Sequence, residues 1–324
     1  MNKLLVSSAP HIRTKKDTPA VMLDVIIALL PALVAGVVIF GIRSLLVVLT
    51  CVLASVVSEF LFNIITKKEQ TIFDFSAIVT GIILGLNLRA DAPVWQCIIG
   101  AVFAIVVVKC FFGGLGQNFM NPALGARCFL FLCYAERMNT FQIPQKVGNA
   151  ILNYGAASVD GISGATPLAA LKAGETISLF DAFFGFTGGV IGETSAAMIL
   201  LGAAYMVYRK VISLRIPLAY LLTFSVFVLL LGGHGFDFYF LACQLCTGGL
   251  MLGAFFMATD YVTSPITKGG QIVFGILLGI LTGIFRLYGN NAEGVSYAII
   301  IANLLVPLIE KMTMPRPFGK GGLK

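Results

Sequence analysis

The sequence predicts an all-α polytopic membrane protein of about ten transmembrane helices, arranged as two inverted five-helix repeats with broken half-helices. Three observations carry that expectation. Of the 324 residues, 58% are hydrophobic and 11% charged, against roughly 45–50% apolar and about 25% charged in a soluble domain. A water-soluble fold of this size has nowhere to hide so much apolar surface, which excludes a soluble enzyme or a disordered scaffold. The apolar residues also come in runs of spanning length, and the runs are interrupted by short polar breaks rich in glycine.

A helix that crosses a bilayer needs about 20 mostly apolar residues. Runs at 22–40, 44–65, 94–112, 195–208 (extended upstream by 179–191), 216–232, 237–258, 270–287 and 295–312 are read as spans. The shorter, glycine-rich runs 75–88 and 121–135 are read as half-length helices. Membranes tolerate such helices only where freed backbone groups face protein or a polar cavity. A faint internal echo suggests duplication: Gly81-Ile82-Ile83-Leu84-Gly85 resembles Gly249-Leu250-Met251-Leu252-Gly253, and Gly116-Gln117-Asn118 resembles Gly289-Asn290-Asn291. Because five is odd, two five-helix halves would insert with opposite topology.

The net charge of +7 does not point to nucleic acid, because the basic residues form no stripe. They cluster between apolar runs, as at Lys15, Lys16, Lys67, Lys68, Arg209, Lys210, Lys268 and Lys311, and fourteen fall in segments on one side against six on the other (Arg43, Arg89, Arg137, Lys146, Lys172 and Arg286). The positive-inside rule then puts both termini in the cytoplasm and the polar loop 136–178 outside. The expected organisation is a cytoplasmic segment over 1–21, a first membrane repeat over 22–135, the outer loop 136–178, a second repeat over 179–312 and a cytoplasmic tail over 313–324. Residues 1–20 are polar and basic, unlike a cleavable signal peptide, so the first span is expected to direct insertion.

Polar residues inside apolar runs are costly and mark partners or pathways. Asp24, Asp74, Glu193 and Asp260 lie near run ends, where reaching the interface is the simpler expectation. Glu59 and Lys109 lie deeper and are expected to be buried, while Asn121 and Arg127 begin and interrupt one half-helix. The stretch Gly113–Leu124 combines glycines with Asn121, a good N-cap, and Pro122 at the first helical position. It reads as the exposed start of a half-helix able to hold an anion or a polar ring edge, or as a tight re-entrant turn. Ala258–Thr267 is a second polar break, in which Thr259, Asp260, Thr263, Ser264 and Thr267 offer oxygens to a cofactor or ion, or cap a turn. Cys243 and Cys246 have CxxC spacing but sit within an apolar run and read as packing residues, and isolated His11 and His234 suggest no metal site. In the outer loop, Asp160-Gly161 forms a turn, and small residues lead to an accessible hydroxyl on Thr166. Physical reasoning alone leaves this an ordinary turn before a short helix at Pro167.

Taken together, the motifs are familiar. Asp160-Gly161-Ile162-Ser163-Gly164-Ala165-Thr166 resembles the signature at which a flavin transferase joins FMN to a threonine through its phosphate. It coincides with Gly113–Leu124, Gly192–Ser195, Phe256–Pro265, Ser8–Arg13 and Phe75–Gly81. From about residue 8 to 318 the chain resembles the RnfD/NqrB family, more the D subunit of Rnf complexes than the B subunit of Na+-translocating NADH:quinone reductases, whose longer N-terminal extension it lacks. A non-redox channel or transporter is the reading from another class.

The resemblance implies a fold related to urea transporters and covalent FMN on Thr166, with Asp160, Ser163, Gly164 and Ala165 recognised by the transferase. It also makes the two breaks, through Gly116, Asn118, Asn121, Pro122, Thr259, Asp260, Thr263 and Ser264, walls of flavin pockets, one of which could hold non-covalent riboflavin. Tyr261 stands where the family pattern has proline, and an aromatic there could stack on a flavin. Further implications are a relay of electrons between ferredoxin and NAD+ coupled to Na+ or H+ movement, in the cytoplasmic membrane of a bacterium or archaeon. The implied partners are the other Rnf subunits (A, B, C, E and G), especially the FMN-bearing G, with the chain not catalytic alone. Glu59 and Asp260 are the candidates for ion coupling.

Overall fold

The computed structural model describes residues 17–139, 141–142, 163–164, 167–172, 177–193, 195–233, 235–289 and 294–315. The first two helices, α1 (Thr18–Phe40) and α2 (Ile42–Ile65), form a hairpin with one residue between them. That residue is Gly41, whose φ of +84° lies in the region that favours glycine. The Ser44 hydroxyl donates to the Gly41 and Gly36 carbonyls at 2.7 and 3.2 Å, tying the second helix back to the first.

α3 (Ser76–Leu86) lies along α2 at a distance only glycine permits. A Cβ on Gly81 would stand 2.6 Å from the Val52 Cα, and one on Gly85 would stand 2.8 Å from the Val48 Cα. Small residues four apart let two helix backbones meet in this way. α4 (Val94–Cys110) finishes in π-type turns over Phe103–Cys110. α5 (Pro122–Cys133) starts as expected, with the Asn121 side chain accepting from the Ala123 and Leu124 amides. A short helix, α6 (Ala135–Asn139), follows. Phe141–Gln142 and Ser163–Gly164 then pair as two-residue antiparallel strands.

α7 (Pro167–Lys172) and α8 (Leu179–Phe184) are single short turns of helix. α9 (Ala196–Tyr208) packs on α1 so closely that a Cβ on Gly202 would meet the Ala28 carbonyl at 2.0 Å. α10 (Arg215–Leu231) pairs with α13 (Lys268–Tyr288) along Gly275, Gly279 and Gly283, which admit Ala219, Thr223 and Phe227. Between them α11 (Phe238–Cys246) and α12 (Leu250–Met257) meet at a 66° bend. α14 (Val295–Thr313) closes the described chain.

Each apolar run is thus helical, but the spans differ from expectation. Among the described residues, four helices are long and apolar enough to cross a membrane, α1, α2, α13 and α14, or up to five if the bent α11–α12 pair counts as one. The run 237–258 is broken rather than continuous, and 179–208 is split into α8, an irregular segment and α9. The half-helix rule explains why this is stable. The exposed end of α3 is closed by the irregular segment: the Gly192 and Ile191 amides donate to the Leu86 and Leu88 carbonyls at 2.7 and 3.0 Å. Backbone groups freed by a break must find protein partners when water is absent. The echoing glycines play different local parts. Gly81 packs inside a helix whereas Gly249 has φ +66° at the α11–α12 bend, and Gly116 has φ +91° whereas Gly289 has φ −72°.

Candidate functional site

Both polar breaks line one cavity at the end of the bundle where α1 begins. It encloses about 760 Å³ of empty space, counting its open mouth. Asn118, Asn121 and Pro122 come from the first break, and Thr259, Asp260 and Tyr261 from the second. Val21, Val25, Val79, Ile83 and Phe256 supply an apolar wall. Ligand pockets combine apolar walls with a few convergent polar groups in this way. Of the expected wall residues, Gly116, Thr263 and Ser264 do not line it. Gly116 makes the loop turn at φ +91°, and the Thr263 hydroxyl instead donates to the Asp260 carboxylate at 3.2 Å. The Thr259 hydroxyl donates to the Phe255 carbonyl of its own helix, and the Tyr261 hydroxyl to the Val211 carbonyl.

A residue that sequence reasoning passed over joins the breaks. Asn303, 2% exposed in the middle of α14, reaches both once its amide is oriented to satisfy its neighbours. Its nitrogen donates to the Thr263 carbonyl at 3.1 Å and its oxygen accepts from the Asn121 amide at 3.3 Å. A lone asparagine in an apolar span was the available signal.

The deep charges pair as their position suggested. Lys109 donates to both Glu59 oxygens at 2.9 and 2.8 Å and to the Ser76 hydroxyl at 2.6 Å, with Glu59 and Lys109 1% and 2% exposed. The network continues outward on both sides. Thr71 donates its hydroxyl to Glu59 at 2.6 Å and accepts from Asn63, while the Ser76 hydroxyl donates to Asp74 at 2.5 Å. Asp74 also accepts the Ser76 amide, so it caps the start of α3. All three ammonium protons are therefore used, which a buried amine requires. Lys109 and Ser76 face the break cavity, whereas Glu59, Thr71, Asn63 and Asp74 face a neighbouring cavity that opens beside Lys68 and Glu69. The ion pair is the partition between the two.

The residues assigned to the interface divide. Asp24 is buried, accepting from the Arg209 guanidinium at 3.2 Å and from the Tyr205 hydroxyl at 3.1 Å. Glu193 is buried as well, beside Gly249 at the α11–α12 bend. Both run ends lie against other helices, so packing rather than chain position sets their depth. Burial pushes the Asp260 carboxyl up from its ordinary value, opposed by the Val262 amide and the Thr263 hydroxyl. Glu59 and Asp260 do not form one cluster, since Lys109 and its network stand on the Glu59 side. Arg127 bridges α3 and α14, donating to the Asn87 side-chain oxygen at 2.8 Å and the Ser296 hydroxyl at 3.2 Å. Cys243 is buried as packing predicts. Asp160, Ala165 and Thr166 lie outside the described residues, and of Ser163 and Gly164 only the backbone pairing is described.

Similarity to known proteins extends over the whole arrangement. The chain is 46% identical to the D subunit of the Na+-translocating ferredoxin:NAD+ oxidoreductase complex of Acetobacterium woodii, over 99% of this chain and 97% of that one. It is 38% identical to the D subunit of the proton-translocating ferredoxin:NAD+ oxidoreductase complex of Clostridium ljungdahlii, over 98% and 97%. The D subunit of the ion-translocating oxidoreductase complex of Stutzerimonas stutzeri is 36% identical, over 94% and 93%. The family described as NQR2, RnfD, RnfE matches residues 5–319, both breaks and the Glu59–Lys109 pair included. The protein belongs to that family.

Proposed function

We propose that the chain is the membrane flavoprotein subunit of an Rnf-type complex, relaying electrons between ferredoxin and NAD+ through FMN carried on Thr166, with the energy coupled to Na+ or H+ movement. The observation that carries this reading is the convergence of two polar breaks, the first of them glycine-rich, on one cavity whose far wall is a buried ion pair. The relatives named above, two of them by the ion they translocate, support the class of reaction. The Asp160–Thr166 motif supports the attachment, made by a flavin transferase. A flavin exchanges one or two electrons when bound, and the protein supplies position and electrostatics.

The residues present fit such a group. The break cavity offers an apolar slot between Val79, Ile83 and Phe256 for a ring system, with Asn118 and Asn121 at hand for its polar edge, and a non-covalent riboflavin is the occupant proposed for it. Asn303 holds the two walls in register, and Lys109 lends positive charge from behind Ser76. Glu59 and Asp260 are proposed as the ion-coupling carboxylates, one on each side of Lys109. Two inverted repeats, both termini in the cytoplasm and the 136–178 loop outside complete the arrangement, which brings Thr166 near the FMN-bearing G protein of the complex. The remaining Rnf subunits supply the ferredoxin and NAD+ sites.

The test is intact and peptide mass spectrometry of the full chain co-expressed with a flavin transferase, together with denaturing-gel fluorescence. An adduct of FMN mass on the Thr166 peptide, lost in Thr166→Ala, is expected. A chain without the adduct that still conducts a solute would belong to the channel reading.

A further inference from the structure

Where α4 begins, a pocket of about 330 Å³, open mouth included, lies between the turn that follows α3 and the short helix α6. Arg89, Asp91 and Gln96 form one side, and Arg137 and Met138 of α6 the other. Hydrogen bonds build the frame. Arg89 donates to the Asp91 carboxylate through two nitrogens, Nε at 2.8 Å, and reaches across to the Arg137 carbonyl. Asp91 is thereby spent on Arg89, and of the charged residues lining the pocket Arg137 is left over. Its guanidinium lies 5.8 Å from the centre of the Trp95 ring, and no carboxylate pairs with it among the described residues. A cation held over a ring keeps its N–H groups for an acceptor.

Gln96 is a second and independent signal. It is 2% exposed, yet its amide nitrogen donates to the Met138 sulfur at 3.1 Å, a weak acceptor, and no donor meets its oxygen among the described residues. A buried amide so poorly met, in the wall of an open pocket, calls for a bound polar group. Beside the pocket the surface turns apolar. Val94, Ile98 and Val102 lie exposed along one face of α4, four residues apart. Trp95, also exposed, packs edge-on against Tyr134 with ring centres 5.0 Å apart. Tryptophan and tyrosine gather where a membrane meets water.

A cationic pocket at the head of an exposed apolar helix face has the outline of a phospholipid. We propose that it binds the phosphate of an anionic glycerophospholipid, with Arg137 and the spare N–H of Gln96 on the phosphate oxygens. The Gln96 oxygen accepts a headgroup hydroxyl, and an acyl chain runs along Val94, Ile98 and Val102. With Asp91 committed to Arg89, no lining carboxylate remains for the ammonium of a zwitterionic headgroup, so the site selects lipids of net negative charge. Because α6 opens the 136–178 loop, the bound lipid pins that end of the loop to the bilayer surface.

Trp95 is the only tryptophan of the chain and stands at the site, so its fluorescence reports occupancy. The full chain in detergent is titrated with phosphatidylglycerol brominated on its acyl chains, which quenches a tryptophan on contact, and with phosphatidylcholine brominated in the same way. Half-maximal quenching is expected at a mole fraction about fivefold or more lower for phosphatidylglycerol, the order of one charge-assisted hydrogen bond at a part-exposed site. Arg137→Gln, on an exposed position, and Gln96→Leu should bring the two curves together, and Arg137→Lys should keep them apart. Competition separates the sources of phosphate: unbrominated phosphatidylglycerol should reverse the quenching, and millimolar inorganic phosphate or sn-glycerol 1-phosphate should not. Reversal by either soluble phosphate would overturn the lipid assignment in favour of a free phosphate. Equal curves for the two lipids in the unmodified chain, or a preference that survives both Arg137→Gln and Gln96→Leu, would overturn the site.

Discussion

Replacing Glu59 with glutamine would remove the counter-charge of an ammonium that, among the described residues, has no other carboxylate within hydrogen-bond reach. Lys109 spends two of its three donors on Glu59, at 2.9 and 2.8 Å, and the third on Ser76 at 2.6 Å. Both side chains are almost wholly enclosed. Breaking such a buried pair from one side costs about 3–5 kcal/mol, because a charge is left buried without compensation. Removing both charges, in Glu59→Gln with Lys109→Met, takes away that penalty along with the attraction. The double variant is therefore expected to be more stable than Glu59→Gln alone, by about 2 kcal/mol or more, with a coupling of similar size. Equilibrium denaturation of the detergent-solubilised chain in a double-mutant cycle measures it. If the single losses simply add, Lys109 is not compensating Glu59, and the partition between the two cavities is wrongly assigned.

Three further outcomes are expected. Gly81→Val should cost about 3 kcal/mol or more and lower the yield of folded protein, because its Cβ would strike the Val52 backbone at 2.6 Å where no side chain can yield; near-normal yield and melting would refute the close α2–α3 contact. Asn303→Leu, which leaves the Asn121 amide and the Thr263 carbonyl without their partner, should cost about 1–3 kcal/mol and reduce retention of non-covalent flavin through gel filtration, and unchanged retention would show that the clasp does not shape the cavity. Burial raises the Asp260 carboxyl, so the folded chain binds its proton more tightly than the unfolded chain does; stability should fall as pH rises from the ordinary value of 3.8 through the folded-state value, and Asp260→Asn should flatten that slope in a denaturation-midpoint series. Equal slopes in the two proteins would remove Asp260 as the cause.

The parts legible in the sequence were those that one segment decides. Composition put the chain in a membrane, the apolar runs located the longer helices though not α6 or α7, and Asn121 with Pro122 announced the start of α5 where the structure has it. Local signals also marked the first break, since glycines at 113, 114 and 116 adopt positive φ there, whereas the bend at Gly248 and Gly249 fell inside a run read as one continuous span. Span counting erred where helices end early. Whether a 13-residue helix such as α9 suffices depends on what receives its freed backbone groups, and nothing in its own residues says so.

What only the tertiary structure decided is who meets whom. Asn303 clasps two breaks from a helix remote from both in sequence, Arg286 closes the end of α11, and Ile191 and Gly192 close the end of α3. Depth followed the same rule, as Asp24 shows by lying buried against Arg209 although it sits near a run end. Hydropathy and capping act through neighbours along the chain and can be read there. The partners of a polar group in an apolar medium must come from wherever packing brings them, because no water stands ready to serve instead.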